Sequence, residues 1–463
     1  MNGPPGTPLV HTDARLVVGP TGEVLGGRAL HARIDATAMA YARGPHGLVL
    51  ARMPTDLPAV LRYLGAVAAG LPIALLDPAS PALADLVARF RPALVVGLAT
   101  PGPVPPAPPA GYLRATVPEL GAVWRRAPAA VEPPAPHPDL ALLLATSGST
   151  GSPRLVRLSR TAVLANARSI VAALHLDGAE VAPTSLPLFY VYGLSVLNSH
   201  LTCGATVVLE PRGLLDRGFW EAAGRHRATS LAAVPYQFAM LRRLRFAPED
   251  HPSIRSLTTS GGRLPPDVAV EYGTRMAAAG GGLYRMYGMT EAAPRIAVLP
   301  PARLLDRPGS VGLAVPGGRL STDGGGQVVY HGPNVMMGYA DTAPDLARGD
   351  DMGGVLATGD LGRIDDEGFL FLTGRTRRIG KVFGVRINLD DVERMVGEVA
   401  PLAAVCHGDK IVIWTEDAAA CRRVPAELAD RLRIHHSGFE VRAIDRLPLL
   451  PTGKIDYPAL EAL

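Results

Sequence analysis

The sequence predicts an α/β protein with a β-rich insertion and a small α+β end, and three observations carry this. Between residues 140 and 287 short apolar runs alternate with helical stretches, the pattern of largely parallel sheets covered by helices on both faces. From Gly309 to Tyr339 the texture changes to brief alternating strands separated by glycine turns. After residue 378 a helix over 389–399 and a strand over 411–414 close the chain. A length of 463 residues leaves room for two to four domains with substantial cores.

In chain order, residues 22–96 mix helical periodicity with short apolar runs, and the Asp77-Pro78 step ends one element sharply. The proline-rich segments 101–109 and 133–138 read as stiff connections. The apolar run 140–145 then stops in Thr146-Ser147-Gly148-Ser149-Thr150-Gly151-Ser152-Pro153-Arg154. A buried strand ending this way gathers backbone N–H groups and hydroxyls around a concavity suited to anionic oxygens. It is not the G-x-x-x-x-G-K-[ST] nucleotide loop, since no Lys-Ser/Thr pair follows. Taken alone, a Ser/Gly surface turn is the competing reading.

A helix is predicted from Ser159 or Thr161 to about Leu174. Strands over 205–209, 230–234, 256–259 and 283–287 alternate with helices over 237–245 and 266–279. Ligand loops belong at the carboxyl ends of such strands, which selects 146–154, 260–262 and 287–288. Strands over 361–364 and 369–372 form a hairpin about Asp365-Asp366-Glu367-Gly368. The segment Arg375 to Arg378 marks a boundary, after which Asn388 is positioned to cap the 389–399 helix.

Composition excludes several classes. A net charge of +4 with 5% aromatic residues gives no basic, aromatic-rich surface for nucleic acid. Cys203, Cys406 and Cys421 have no paired spacing, so neither a disulfide frame nor a metal knuckle is indicated. No leader-like segment opens the chain, and no apolar run approaches the roughly 20 residues of a membrane span. A soluble cytoplasmic protein is the expectation. Lysine is scarce: Lys381, Lys410 and Lys454 stand against 43 arginines among 46 basic residues. A compact ammonium is not interchangeable with a planar guanidinium, so the three retained lysines draw notice.

The segments TSGSTGSPR (146–154), LPLFYVYG (186–193), YGMTE (287–291), TGD (358–360), GRTRRIGKVFGVRI (374–387) and PTGKID (451–456) together resemble the ordered motifs of the acid-adenylating superfamily, which holds acyl-CoA synthetases, peptide-synthetase adenylation domains and luciferases. They span about two thirds of the chain, and Lys381 and Lys454 fall at the motif lysines. The resemblance implies a large N-terminal domain (1–376) of two mainly parallel, helix-covered sheets with a β-rich subdomain at about 309–372. A small mobile α+β domain (377–463) would follow, hinged at Arg377.

The implied reaction is attack of a carboxylate on the α-phosphate of ATP, with Mg²⁺, giving an acyl-adenylate and pyrophosphate. Both reactants are anionic, so prearranged cations and N–H dipoles are the main requirement. By resemblance the loop Thr146, Ser147, Gly148, Ser149, Thr150, Gly151 holds the outer phosphates, with Arg154 where the family usually has Lys. Tyr287, Gly288 and Met289 border the purine, with Gly261, Gly262 and Arg263 along it. Thr290 meets the α-phosphate, Glu291 holds Mg²⁺ on the phosphates, and Asp360 takes the ribose hydroxyls with Arg375 beside it. Arg386 supports the phosphate end. Lys454 bridges carboxylate and α-phosphate in adenylation, whereas Lys381 and Gly384 lie on the face brought in by domain rotation for the thiol step.

In LPLFYVYG, Tyr190 stands where amino-acid-activating relatives carry Asp, and 186–200 holds no carboxylate. A buried substrate ammonium would be unpaired, so an acid without an α-amino group is expected. Phe189, Tyr190, Tyr192, Gly193 and Tyr236 suit an aryl or modest-length acyl pocket, though Tyr192 and Tyr236 suit the core equally well. With no carrier domain after Lys454, the acceptor would be coenzyme A or the phosphopantetheine thiol of a separate carrier protein. An amine acceptor giving an amide, and a catalytically silent nucleotide-binding protein, are the alternatives.

Overall fold

The computed structural model describes residues 9–98, 107–145, 154–375, 378–382, 385–396, 402–408, 410–432 and 435–463. Its largest sheet runs, edge to edge, through Gly338–Ala340, Leu155–Ser159, Leu140–Ala145, Ile73–Leu76, Val49–Arg52, Leu94–Val96, Gly121–Arg126 and Tyr112–Val117. The four inner strands from Leu140–Ala145 to Leu94–Val96 pair in parallel. Sequences such as IALL and LALLLA are what two covered faces demand. Both flanks turn antiparallel.

A second sheet orders Ser230–Ala233, Ser256–Thr259 and Gly282–Gly288 in parallel, then Arg295–Leu299 and Leu313–Ala314 antiparallel. The helix Val191–Thr202 buries polar Ser195, Asn198, Ser199 and His200 as well as its leucines, the mark of a helix enclosed on nearly all sides. A third sheet places Arg15–Val18 between Val24–Gly26 and Thr206–Leu209, with Val181–Pro183 at its edge. The largest sheet is therefore parallel at its centre and antiparallel at both margins, whereas the second and third are parallel at one margin and antiparallel at the other.

The β-rich stretch supplies strands to several sheets. Arg319–Thr322, Gln327–His331, Val355–Ile364 and Leu370–Arg375 form a sheet of their own, while Leu313–Ala314 and Gly338–Ala340 join the two larger ones. The expected hairpin is present. The Asp365 carboxylate accepts from the backbone N–H of Glu367 at 3.1 Å and of Phe369 at 2.8 Å, and Gly368 supplies the left-handed φ of +87°.

The helix after the glycine-rich loop begins at Arg160 and ends at Leu174, with Ser159 Oγ accepting from Ala162 N–H at 3.0 Å. Between loop and helix lies Leu155–Ser159, a strand the sequence reading lacks. Its Arg157 is fully buried, donating to the carbonyls of Met337 (2.9 Å), Tyr339 (3.3 Å), Arg348 (2.6 Å) and Gly349 (3.0 Å) and to the Asp351 carboxylate (2.5 Å). A charge inside a strand hides the apolar period, yet here it fastens segment 337–351 onto the sheet.

The final portion has a ribbon, Ile379–Val382 with Val385–Asn388, and a sheet of Leu402–His407, Lys410–Thr415 and Phe439–Ala443. Helices Leu389–Val396, Ala420–Leu432 and Tyr457–Glu461 accompany them. Among the described residues no helix is long and apolar enough to cross a membrane.

Candidate active site

Tyr287, Asp360 and Arg375 arrive from three strands and meet at one carboxylate. Tyr287 Oη donates to Asp360 Oδ2 at 2.5 Å, and Arg375 Nε donates to Oδ1 at 2.9 Å. Asp360 and Arg375 are cross-strand partners, so the pairing follows from hairpin register. The Asp360 N–H donates to Thr358 Oγ1 at 3.1 Å. Burial, then the Asp360 charge, pushes the Tyr287 phenol well above its ordinary range, which keeps it a donor. At Gly288 a Cβ would lie 1.8 Å from the Pro294 carbonyl oxygen, so only glycine lets the two backbones approach there.

Lys454 sits at the end of a tight turn. Gly453 N–H donates to Leu450 O and Leu450 N–H to Lys454 O, both at 2.8 Å, with Gly453 at φ +77°. The turn carries the ammonium to 5.3 Å from the Tyr190 ring centroid. Burial and the Arg375 charge push this lysine down to about 8, against the opposing pull of Glu291 and Asp360. Gly261 adopts φ +85°, and a Cβ there would lie 2.3 Å from Tyr190 Oη and 3.5 Å from Lys454 Cε. Tyr190, Gly261 and Lys454 thus share one spot, beside Glu291, Asp360 and Arg375.

Glu291 lies on the single turn Thr290–Ala292. Tyr339 Oη donates to its Oε1 at 2.8 Å, and the Tyr339 ring lies 4.6 Å beneath the Arg154 guanidinium. Arg154 donates through Nε to Asp341 Oδ1 at 3.0 Å and through Nη2 to Oδ2 at 3.2 Å, a forked pair at a half-exposed position. The loop residues Thr146, Ser147, Gly148, Ser149, Thr150 and Gly151 lie outside the described residues. The strands entering and leaving the loop pair Ala145 with Leu155, and Val156 pairs with Tyr339. The ends of the loop are therefore anchored next to this network. Among the described residues no group of three His, Cys, Asp or Glu side chains is suited to a metal ion.

The remaining candidates have varied surroundings. Phe189 is half-buried against the core, and Met289 packs there too while its N–H donates to Pro294 O at 2.9 Å. Tyr192 is buried, its hydroxyl sharing a hydrogen with Thr258 Oγ1 at 2.8 Å. Gly193 has a packing reason of its own, since a Cβ would meet the Pro187 carbonyl at 2.2 Å. Tyr236 Oη accepts from Arg446 Nε at 3.0 Å, joining the second sheet's flank to the C-terminal segment. Gly262 and Arg263 are exposed. Lys381 and Arg386 are cross-strand partners in the ribbon, whereas Arg377 and Gly384 lie outside the described residues.

Sequence reasoning missed Tyr339, Asp341, Arg446 and Arg295. Arg295 is 1% exposed, donating through Nη1 to Ser260 Oγ at 2.8 Å and through Nη2 to Ser195 Oγ at 3.4 Å, with its guanidinium 4.8 Å from the Tyr192 centroid. In a chain this rich in arginine, no local pattern separates Asp341, Arg446 and Arg295 from surface charges.

A family model described as AMP-binding enzyme matches residues 8–340. An indoleacetate–CoA ligase from Aromatoleum aromaticum is 31% identical over 339 residues, covering 68% of this chain and 65% of that protein. A sulfoacetate–CoA ligase from Cupriavidus necator is 32% identical over 347 residues, covering 70% and 67%. The match thus spans about two thirds of these curated relatives. Among solved structures, ATP-bound MatB from Rhodopseudomonas palustris superposes at a TM-score of 0.76 with 23% identity, covering 97% of this chain and 96% of that one. The o-succinylbenzoate CoA synthetase of Bacillus subtilis with its acyl-adenylate intermediate gives 0.71 at 21%, covering 95% and 93%. At such identities the structural likeness speaks for the fold.

Proposed function

The chain belongs to the AMP-binding enzyme family, and from that premise we propose that it activates a carboxylic acid with ATP and passes the acyl group to a thiol, coenzyme A first among the acceptors. The acid's carboxylate oxygen bonds to the α-phosphorus and pyrophosphate leaves. The thiol sulfur then bonds to the acyl carbon and AMP leaves. The observation that carries this reading is the convergence of Lys454 on Tyr190, Gly261, Glu291, Asp360 and Arg375 in one cleft.

In this reading Asp360, held by Tyr287 and Arg375, offers its oxygens to the ribose hydroxyls. Lys454 offsets the repulsion between carboxylate and α-phosphate as they close. Thr290 and Glu291 stand on adjacent positions of one turn, where a single carboxylate together with phosphate and water oxygens would meet the needs of Mg²⁺. The loop 146–154 serves the outer phosphates, with Arg154 released from Asp341 to join it. The division into 1–376 and 377–463, with Arg377 as hinge and Lys381, Gly384 and Arg386 serving the thiol step, belongs to the same proposal.

The buried Arg295 beside Tyr190 and Tyr192 supports an acid without an α-ammonium, because two cations in a low-dielectric pocket repel. The relatives' names span an aryl acid and a sulfonated one, so they leave the size of the acid to experiment. The test is acid-dependent pyrophosphate release across a broad panel, followed by addition of coenzyme A, a phosphopantetheinylated carrier or an amine. No release with any acid sinks the adenylation reading in favour of a silent nucleotide binder. Release without thioester to coenzyme A moves the acceptor to a carrier or an amine.

A further inference from the structure

The helix Val191–Thr202 and the strands of the second sheet enclose a small cavity lined by Tyr192, Ser195, His200, Ser230, Thr258 and Arg295 among apolar neighbours. It has room for a compact group only. Arg295 is the one cation in that lining, and its guanidinium is almost wholly shielded from solvent. Its partners are two neutral hydroxyls, Ser260 and Ser195, and the face of Tyr192. Among the described residues its Nε has no acceptor. Among the described residues no carboxylate lies within ion-pairing distance of it, and the charged forms that act on it are those of Tyr192 and Tyr190, both phenols held neutral by burial.

This is an expensive arrangement to leave incomplete, because a buried cation is tolerated where an anion or a full set of acceptors answers it. Arg157, also fully buried, shows the completed form, with an aspartate and four carbonyls. Arg295 also stands next to the proposed acid site. Ser260 directly precedes Gly261, where Tyr190 and Lys454 meet. The Tyr190 and Tyr192 rings are 6.3 Å apart, and Arg295 lies on Tyr192. Tyr190 and Tyr192 therefore stand between Lys454 and a guanidinium that has no carboxylate partner among the described residues.

We propose that the acid is one with two anionic ends: a carboxylate that is activated beside Lys454, and a second anionic group, carboxylate or sulfonate, that pairs with Arg295. This rests on the adenylation reading and narrows it. Ser195 and Ser260 complete the surroundings of that group, and neutral His200, pushed down to about 4 by burial, leaves Arg295 as the only charge in the lining among the described residues. An acid with an apolar far end would bury against that charge and gain nothing from it.

The test compares matched acids in pyrophosphate release: short and aryl dicarboxylates and sulfocarboxylates, each against its methyl ester, amide or methyl isostere. With wild-type protein the dianionic acid should exceed its neutral isostere in kcat/KM by at least about 10²-fold. Arg295→Met should reduce that ratio to near unity, and Arg295→Lys should retain part of it. Neutral isosteres turned over as well as or better than their dianionic partners by the wild-type protein would overturn the inference while leaving adenylation intact. So would a ratio unchanged in a folded Arg295→Met variant, which would make the arginine a structural tie. If Arg295→Met does not fold, the wild-type comparison alone decides. No release with any acid overturns the adenylation reading instead.

Discussion

Lys454 holds its ammonium 5.3 Å from the centre of the Tyr190 ring, on a turn that enters the cleft from the C-terminal segment. A cation over an aromatic face and beside two carboxylates is stabilised, yet burial and Arg375 outweigh that help. The lysine is therefore poised close to physiological pH.

The charged form is the one the proposed chemistry needs, present below a pH of about 8 and lost above it. In acid-dependent ATP–pyrophosphate exchange, kcat/KM for ATP should be level below that point and fall about tenfold per unit beyond it. Lys454→Ala should lower exchange by about 10²-fold or more and remove this alkaline limb. An identical limb in the variant would assign the titration elsewhere.

Gly261→Ala should be damaging for two separable reasons, its left-handed φ of +85° and the 2.3 Å approach to Tyr190 Oη. Adding Tyr190→Phe removes the hydroxyl but not the backbone strain. The double variant should recover part of the acid activation lost in the single one. Losses that simply add would show that the two residues do not share the space described.

Asp360→Asn should raise KM for ATP by about tenfold or more, since the amide can no longer accept from Tyr287, Arg375 and a ribose together. Tyr287→Phe should cost less, keeping the ring while removing one donor. Calorimetric binding of ATP or AMP gives the same ranking independently of turnover.

Arg154 and Asp341 are both about half exposed, so their pair is worth no more than about 1 kcal/mol. If the guanidinium must leave Asp341 to serve phosphate, Asp341→Ala should lower KM for ATP by up to about fivefold. Arg154→Met should raise it. Weaker nucleotide binding in Asp341→Ala would mean that the pair holds the loop in shape rather than competing for the arginine.

Lys381→Ala and Arg377→Pro should impair thioester formation more than adenylate formation, measured as separate half-reactions. Equal loss in both would remove the case for alternating faces of the C-terminal segment.

Much of the architecture was legible because its signals are local. The strand Ser256–Thr259 and the helix from Pro266 are bounded by turn residues and a proline at the first helical turn. The strand Leu155–Ser159 was not legible, because buried Arg157 interrupts its apolar run. The strands Tyr112–Val117 and Gly121–Arg126 escaped as well: the first is largely solvent-facing, and in the second the buried Val123 and Trp124 are flanked by Gly and Arg, too short an apolar run to stand out. In the site, Tyr287, Asp360 and Lys454 announced themselves through short motifs, whereas Tyr339 and Arg295 act across 48 and 35 residues of sequence on Glu291 and Ser260. Spacing cannot reveal a pair that only tertiary packing creates.

Tyr339 has a wider consequence. Its strand is zipped to the one leaving the glycine-rich loop, its hydroxyl rests on Glu291, and its ring is the floor under Arg154. A substitution at Tyr339 therefore reaches both ends of the cleft at once, removing the donor to Glu291 and the ring face under Arg154.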